Sequence, residues 1–239
     1  ALVPRENVAE FIKGVQRTVT QFFGDASEPN PDYTSVVDSR QYLRIQTLLD
    51  DARAKGATVT SCGPLPTGSS RVLPLQILTN LRPDMLVMTE ELFGPLLPVL
   101  PYDTMDEAIS YINARPRPLA LYCFSHDNTE RDALLTRTHS GGVSVNDWGW
   151  HVVNHDAPFG GIWNSGMGNY HGEEGFRELS HAKTVFQRQR FFPIDLFYPP
   201  YGTFLQRLTL KYFLGSPDAT LSPPHQRSRA KATHEATAS

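Results

Sequence analysis

An α/β fold organised around a parallel sheet is predicted by three features of this 239-residue chain. Short apolar runs alternate with helical stretches between residues 73 and 146. Those runs are apolar almost throughout, not on every second residue, as expected for strands covered on both faces. Capping signals open the intervening helices, so the order strand, helix, strand repeats along the chain.

The elements follow in sequence. Val8, Phe11, Ile12, Val15, Val19 and Phe22 fall on one helical stripe, and Asn30-Pro31 breaks the chain after it. A second helix over residues 39–55 gathers Tyr42, Ile45, Leu48, Leu49 and Ala52 on one face, with Ser39 as N-cap and Gly56 as stop. Residues 73–78 and 97–102 read as strands. Thr104-Met105-Asp106-Glu107 is a capping box that opens a short helix to Asn113. A buried strand over 119–124, a helix over 129–138 stopped at Gly141-Gly142, and a strand over 142–146 complete the alternation. Residues 147–175 lose periodicity and collect glycines and aromatics, which predicts a long structured loop of the kind that carries sites. A strand near 183–188, an amphipathic piece over 204–214 and a disordered tail over 216–239 follow.

Composition narrows the function classes. Hydrophobic residues are 40% and charged residues 20% of the chain, a globular balance. The net charge of −3 offers no basic field for nucleic acid or an anionic membrane. Two cysteines, Cys62 and Cys123, exclude a disulfide framework and fit a reducing, cytoplasmic setting. No apolar run reaches the ~18–20 residues of a membrane span.

Candidate chemistry is sparse. The stretch Gly160-Gly161 to Gly166-Met167-Gly168 has Met167 where a phosphate loop requires Lys, so tight turns explain its glycines better. His151 and His155 have helical ligand spacing but lie in predicted loop, and no metal is expected. Cys123 in a buried strand and Cys62 in a Gly/Pro/Ser loop lack a neighbouring base, and neither reads as a nucleophile. Glu90-Glu91-Leu92-Phe93-Gly94-Pro95 places a carboxylate and an aromatic ring on one rigid turn. Such a pair can accept two sugar hydroxyls and pack a ring, although a solvated acidic turn is the ordinary reading of the residues alone.

Five motifs in order decide between these. Glu91-Leu92-Phe93-Gly94-Pro95, Arg117-Pro118-Leu119-Ala120-Leu121-Tyr122, Ser140-Gly141-Gly142-Val143-Ser144-Val145-Asn146-Asp147, Pro158-Phe159-Gly160-Gly161 and Asn164-Ser165-Gly166-Met167-Gly168-Asn169-Tyr170-His171-Gly172 occur along one chain. The sequence over residues 1–203 resembles the C-terminal half of an aldehyde dehydrogenase, nearest the branch of class 3, fatty-aldehyde and coniferyl-aldehyde enzymes. The resemblance implies NAD- or NADP-dependent oxidation of an aldehyde to a carboxylic acid through a cysteine thiohemiacetal and thioester. It implies that Glu91 holds the nicotinamide ribose hydroxyls, that Phe93 packs beside the nicotinamide, and that Gly149, Val152, Val153, Phe159 and His171 line the aldehyde pocket. Gly149 replaces a branched apolar residue common in relatives, with Trp148 and Trp150 beside it, and Trp163 replaces a common Gly.

The family's nucleophilic Cys, general-base Glu and oxyanion Asn are expected upstream of residue 1, so this chain holds no catalytic residue of its own. The implied organisation is a catalytic domain over 1–177, incomplete on its N-terminal side, then an oligomerisation strand over 178–190. An amphipathic segment over 191–215 and the tail over 216–239 follow. A homodimer with an aldehyde substrate and a dinucleotide cofactor is expected, without nucleic acid or membrane attachment. The alternative is a non-catalytic dimerising module. For 204–214, capping of the substrate tunnel is favoured over membrane-surface binding, which needs a second anchor.

Overall fold

The computed structural model describes residues 1–24, 30–65, 70–191, 194, 198–199 and 201–215. The chain forms two compact units, Ala1–His181 and Ala182–Ser239.

The first unit begins with β1 (Leu2–Pro4) and, after one 3-10 turn, α1 (Val8–Phe23). The stripe of Val8, Phe11, Ile12, Val15 and Val19 packs against Val3, Cys62, Ile77 and Val99, as its spacing predicts. The helix stops at Gly24, whose φ of 71° no β-carbon favours. Helix α2 (Ser39–Ala54) is capped one residue earlier than expected. Asp38 is extended and its carboxylate accepts the Gln41 N–H at 2.7 Å, leaving Ser39 as the first helical residue.

A three-stranded sheet takes β2 (Thr58–Ser61), β3 (Gln76–Thr79) and β4 (Leu96–Pro98). Strands β3 and β4 are parallel, Gln76 opposite Leu96, but β2 runs antiparallel to β3, Thr58 opposite Thr79. The parallel expectation is corrected there: among the described residues no helix lies between β2 and β3, and a parallel neighbour needs a crossover that is usually helical. Strand β2 escapes an apolar pattern since only Val59 in it is apolar; its signal is the β-branched run Thr58-Val59-Thr60. Strand β3 starts late because Pro74 has no N–H to give a ladder.

The strand expected over 97–102 is split between two ladders. β4 pairs with β3, whereas β5 (Leu100–Tyr102) pairs in parallel with β1, Leu2 opposite Leu100. Val99 still donates its N–H to the Leu78 carbonyl at 2.8 Å, and Leu100 donates to the Ala1 carbonyl at 2.9 Å. Pro101 then has no N–H with which to extend the β3 ladder. Helix α2 covers this sheet, where Ile45, Leu48, Leu49 and Ala52 meet Leu73, Leu78, Met85, Val87 and Leu96 in the largest buried cluster. The short helix α3 (Leu86–Thr89) closes its end.

Helix α4 (Met105–Asn113), β6 (Ala120–Cys123), α5 (Asn128–Arg137) and β7 (Gly142–Val145) realise the alternation read from the sequence. Strands β6 and β7 are parallel, and Ile109, Cys123 and Leu134 form their core. The Thr104 hydroxyl accepts the Glu107 N–H at 3.2 Å, but the Glu107 carboxylate reaches the Asp103 N–H at 2.8 Å, one residue beyond the cap. The long loop expected over 147–175 contains more regular structure than its lack of periodicity suggests. It holds α6 (Trp150–Val153), a 3-10 turn at Trp163–Ser165 and the start of α7 (Gly172–Glu178).

In the second unit, α8 (Phe204–Leu214) is capped by Thr203, whose hydroxyl accepts the Gln206 N–H at 3.3 Å. The strand expected near 183–188 is not formed: those residues lie outside any helix or strand. The expected tail over 216–239 falls outside the described residues. Among the described residues no helix is long and apolar enough to cross a membrane.

Two stability measurements follow. Leu48 is 1% exposed, so Leu48→Ala is expected to cost about 2–5 kcal/mol in denaturant unfolding. The Asp51 carboxylate is held below its ordinary range chiefly by Lys55 and then by the Leu86 N–H. Its contribution is present above about pH 4 and is lost as pH falls through the lowered value, so Asp51→Asn should flatten that acid limb.

Candidate active site

The turn between α3 and β4 carries Glu91 and Phe93. It lies directly on α2, because a β-carbon at Gly94 would sit 2.5 Å from the Ile45 Cδ1, and Ile45 is wholly buried. Arg44, the neighbour of Ile45 on α2, fixes the turn by donating to the Glu91 carbonyl at 3.0 Å and to the Leu92 carbonyl. Its guanidinium also lies 4.0 Å from the Glu90 carboxylate. Phe93 is held at φ 41° with its ring 76% exposed. The Glu91 carboxylate is exposed and makes no hydrogen bond or ion pair among the described residues. Both residues border a cleft of about 500 Å³ with Val37, Asp38, Arg40, Gln41 and Arg44. A carboxylate with both oxygens available and a flat ring on one braced turn can accept vicinal hydroxyls and stack a heterocycle. The sequence does not single out Arg44; its one signal is a basic residue flanking the buried Ile45.

The other expected residues gather beyond the end of β7. Phe159 and Tyr170 form a bridge, with N–H to carbonyl distances of 2.8 and 2.9 Å, and their rings meet edge to face at 5.4 Å. His171 packs against Tyr170 at 4.2 Å, against Phe159 at 6.3 Å and against His155 at 4.7 Å. His171 holds φ 71°, and its Nδ1 is buried without a hydrogen-bond partner. Helix α6 presents Val152 half-buried and Val153 55% exposed, and Gly149 precedes it at φ 68° with no atom within 4 Å of where its β-carbon would lie. The seven expected residues thus fall into two groups, Glu91 with Phe93, and Gly149, Val152, Val153, Phe159 and His171.

His151 is the residue the sequence misplaces. The i, i+4 spacing pairs it with His155, yet the two rings turn to different partners. His151 Nδ1 lies 2.8 Å from the Ser144 hydroxyl, and its ring packs between Tyr122 at 6.0 Å and Phe159 at 5.8 Å. Gly142 makes room for it, since a β-carbon there would meet the ring at 2.4 Å. The usable signal was the Gly141-Gly142 pair. A β-carbon at Gly141 would lie 2.2 Å from the Gly160 carbonyl, and one at Gly161 2.0 Å from the Ser165 carbonyl. These glycines are required by backbone packed on backbone, which gives the tight-turn reading its physical reason. Among the described residues no group of three or more His, Cys, Asp or Glu is placed to hold a metal ion.

The cysteines stand apart from both groups. Cys62 is 8% and Cys123 6% exposed, and burial raises both thiols above their ordinary range. Neither borders the Glu91 cleft. In the folded chain at pH 8 both thiols are therefore expected to react slowly with a disulfide reagent, and both to react at once in denaturant. Gly142→Ala is expected to displace the His151 ring and cost about 1–3 kcal/mol of stability, read by thermal unfolding.

The chain finds its counterpart in known proteins. Residues 1–185 match the aldehyde dehydrogenase family. A probable coniferyl aldehyde dehydrogenase of Pseudomonas aeruginosa is 49% identical over 214 residues, covering 89% of this chain and 44% of that relative. Aldehyde dehydrogenase family 3 member B2 of Mus musculus is 35% identical over 222 residues, covering 92% of this chain and 45% of its own length. The substrate-bound structure of AldH from Staphylococcus aureus superposes with a TM-score of 0.76 at 32% identity, covering 88% of this chain and 45% of that one. The chain therefore spans a little under half the length of the relatives it matches. With its fold, its ordered motifs and its relatives in agreement, the chain belongs to the aldehyde dehydrogenase family, in the branch that holds coniferyl-aldehyde and class 3 enzymes.

Proposed function

We propose that this chain is the C-terminal part of an NAD- or NADP-dependent dehydrogenase that oxidises aromatic or fatty aldehydes to carboxylic acids. In this reading the nucleophilic Cys, the general-base Glu and the oxyanion Asn come from a segment before Ala1, and residues 1–239 alone are inactive. The observation that carries it is the state of the two thiols. A covalent mechanism needs an accessible thiolate, and both cysteines present are buried with the thiol form favoured.

A second observation supports it. A cleft of about 800 Å³ lies between β1 and β6, lined by Leu2, Val3, Leu97, Leu121, Tyr122 and Phe124 among others. Among the described residues β1 pairs only with β5, and β6 only with β7, so each strand leaves one edge unpaired, which further chain would cover in this reading. Tyr122 lines this cleft and also touches the His151 ring, which links it to the Phe159–His171 cluster. A nucleophile supplied from that side would face the residues assigned to the aldehyde.

The Glu91 turn fits a dinucleotide. Glu91 would accept the hydroxyls of the nicotinamide ribose and Phe93 would pack beside the ring; when bound, the nicotinamide supplies the hydride acceptor. Arg44 holds the turn so that the carboxylate is in place beforehand, which reduces the ordering cost of binding. A homodimer fits the exposed Val185 in the segment read as an oligomerisation strand.

The test is complementation. The N-terminal half of the Pseudomonas aeruginosa relative, ending before the residue aligned with Ala1, is fused to residues 1–239. NADH formation with coniferyl aldehyde is expected from the fusion and none above background from this chain alone. Glu91→Ala in the fusion is expected to raise the KM for NAD roughly tenfold while leaving the KM for aldehyde unchanged. Aldehyde oxidation by the isolated chain, or a folded fusion without activity, would overturn the reading.

A further inference from the structure

One imidazole is clamped to the β6–β7 ladder. In that ladder Tyr122 stands opposite Ser144, and Gly142 lies two residues before Ser144, so all three share one face of the sheet. The His151 ring lies on that face. Its Nδ1 is 2.8 Å from the hydroxyl of the buried Ser144, its centroid is 6.0 Å from the Tyr122 ring, and a β-carbon at Gly142 would stand 2.4 Å from its Cδ2. An imidazole can turn over about its χ2 bond, which exchanges Nδ1 with Cδ2. Nε2 is buried without a hydrogen-bond partner, so among the described residues the Ser144 hydroxyl is the one polar contact that selects between the two orientations. Hydroxyl and Nδ1 share one hydrogen in either tautomer.

The same ring meets Phe159 at 5.8 Å, tilted by 42°. Among the described residues Phe159 touches two further rings, Tyr170 and His171. Tyr170 is its own bridge partner and His171 the next residue, so both belong to the segment that Phe159 itself closes. His151 is the ring of the three that is hydrogen-bonded to the sheet. That sheet also borders the cleft of about 800 Å³, with Tyr122 on its wall.

Resting on the reading above that Phe159 faces the aldehyde and that the nucleophile enters on the Tyr122 side, we infer that Ser144 and His151 are positioning residues. Their hydrogen bond sets the Phe159 ring relative to the β6–β7 ladder, and so sets the aldehyde relative to the incoming nucleophile. Both act through Phe159. An imidazole free to turn over offers Phe159 two different edges and spreads its ring over two placements. Reacting atoms must meet within about 3–3.5 Å, so a small displacement of a substrate wall is costly in rate.

The same fusion tests this with coniferyl aldehyde, each variant being checked for folding by thermal unfolding. Ser144→Ala and His151→Phe are each expected to lower kcat/KM for the aldehyde roughly three- to tenfold, as the loss of one hydrogen bond implies, with the KM for NAD unchanged. Ser144→Thr keeps a hydroxyl and should retain most of the activity. The deciding readout is a double-mutant cycle. In a Phe159→Leu background, Ser144→Ala should change the residual kcat/KM by less than about twofold, because the ring it sets is gone. If Ser144→Ala does not fold, the cycle is read with His151→Phe. Four outcomes in an active fusion overturn the inference and leave the proposed function standing: no effect of either variant, an equal loss in both backgrounds, an equal rise in the KM for NAD, or the same loss in Ser144→Thr as in Ser144→Ala. A folded fusion that oxidises no aldehyde overturns both.

Discussion

Backbone packed directly on backbone is the constraint on which the rest of the candidate site depends. At Gly141, Gly160 and Gly161 the spaces that a β-carbon would fill are occupied by carbonyl oxygens of neighbouring segments. That approach brings the beginning of β7 against the turn after Phe159, and the turn in turn against the Ser165 and Gly168 carbonyls. Close packing of main chain leaves no slack, so the rings at its border are positioned by it and not by their own flexible side chains. The His151 ring over Gly142, the Phe159–Tyr170 bridge and the left-handed His171 all sit within a few residues of those contacts.

The two groups of candidate residues are held by different means. The Glu91 turn has no glycine lattice beneath it. It has one missing side chain, at Gly94, which lets it touch a fully buried isoleucine, and one arginine that satisfies two of its carbonyls. Hydrogen bonds from an arginine to main-chain oxygens hold a turn while leaving its acidic side chain for other partners. The aromatic cluster, by contrast, has almost no charged hydrogen bonding. It is ring against ring, with two ring nitrogens, His151 Nε2 and His171 Nδ1, left without partners in its interior.

Legibility in the sequence follows the range of the forces involved. Helix α1, α2 and the β6–α5–β7 alternation were readable because stripes, caps and apolar runs are local. Strand β2 was not, since Thr58 and Thr60 join a sheet through Thr79 and Ile77, on a strand distant in sequence, and the pattern in the strand itself is faint. The division of residues 96–102 between two ladders was likewise invisible, because it is decided by which neighbours lie on either side. In the site, Glu91, Phe93, Phe159 and His171 were nameable from motifs. The pairing of His151 with Ser144 was hidden by a coincidental four-residue spacing to His155. Arg44 was hidden because its partners are carbonyls, which every residue possesses.

The bridge between Phe159 and Tyr170 has a consequence for motion. It closes the segment 160–169 at its two ends with a pair of main-chain hydrogen bonds, Phe159 N–H to the Tyr170 carbonyl and Tyr170 N–H to the Phe159 carbonyl. Opening that segment breaks both bonds together, so the two amides belong to one cooperative unit of hydrogen exchange.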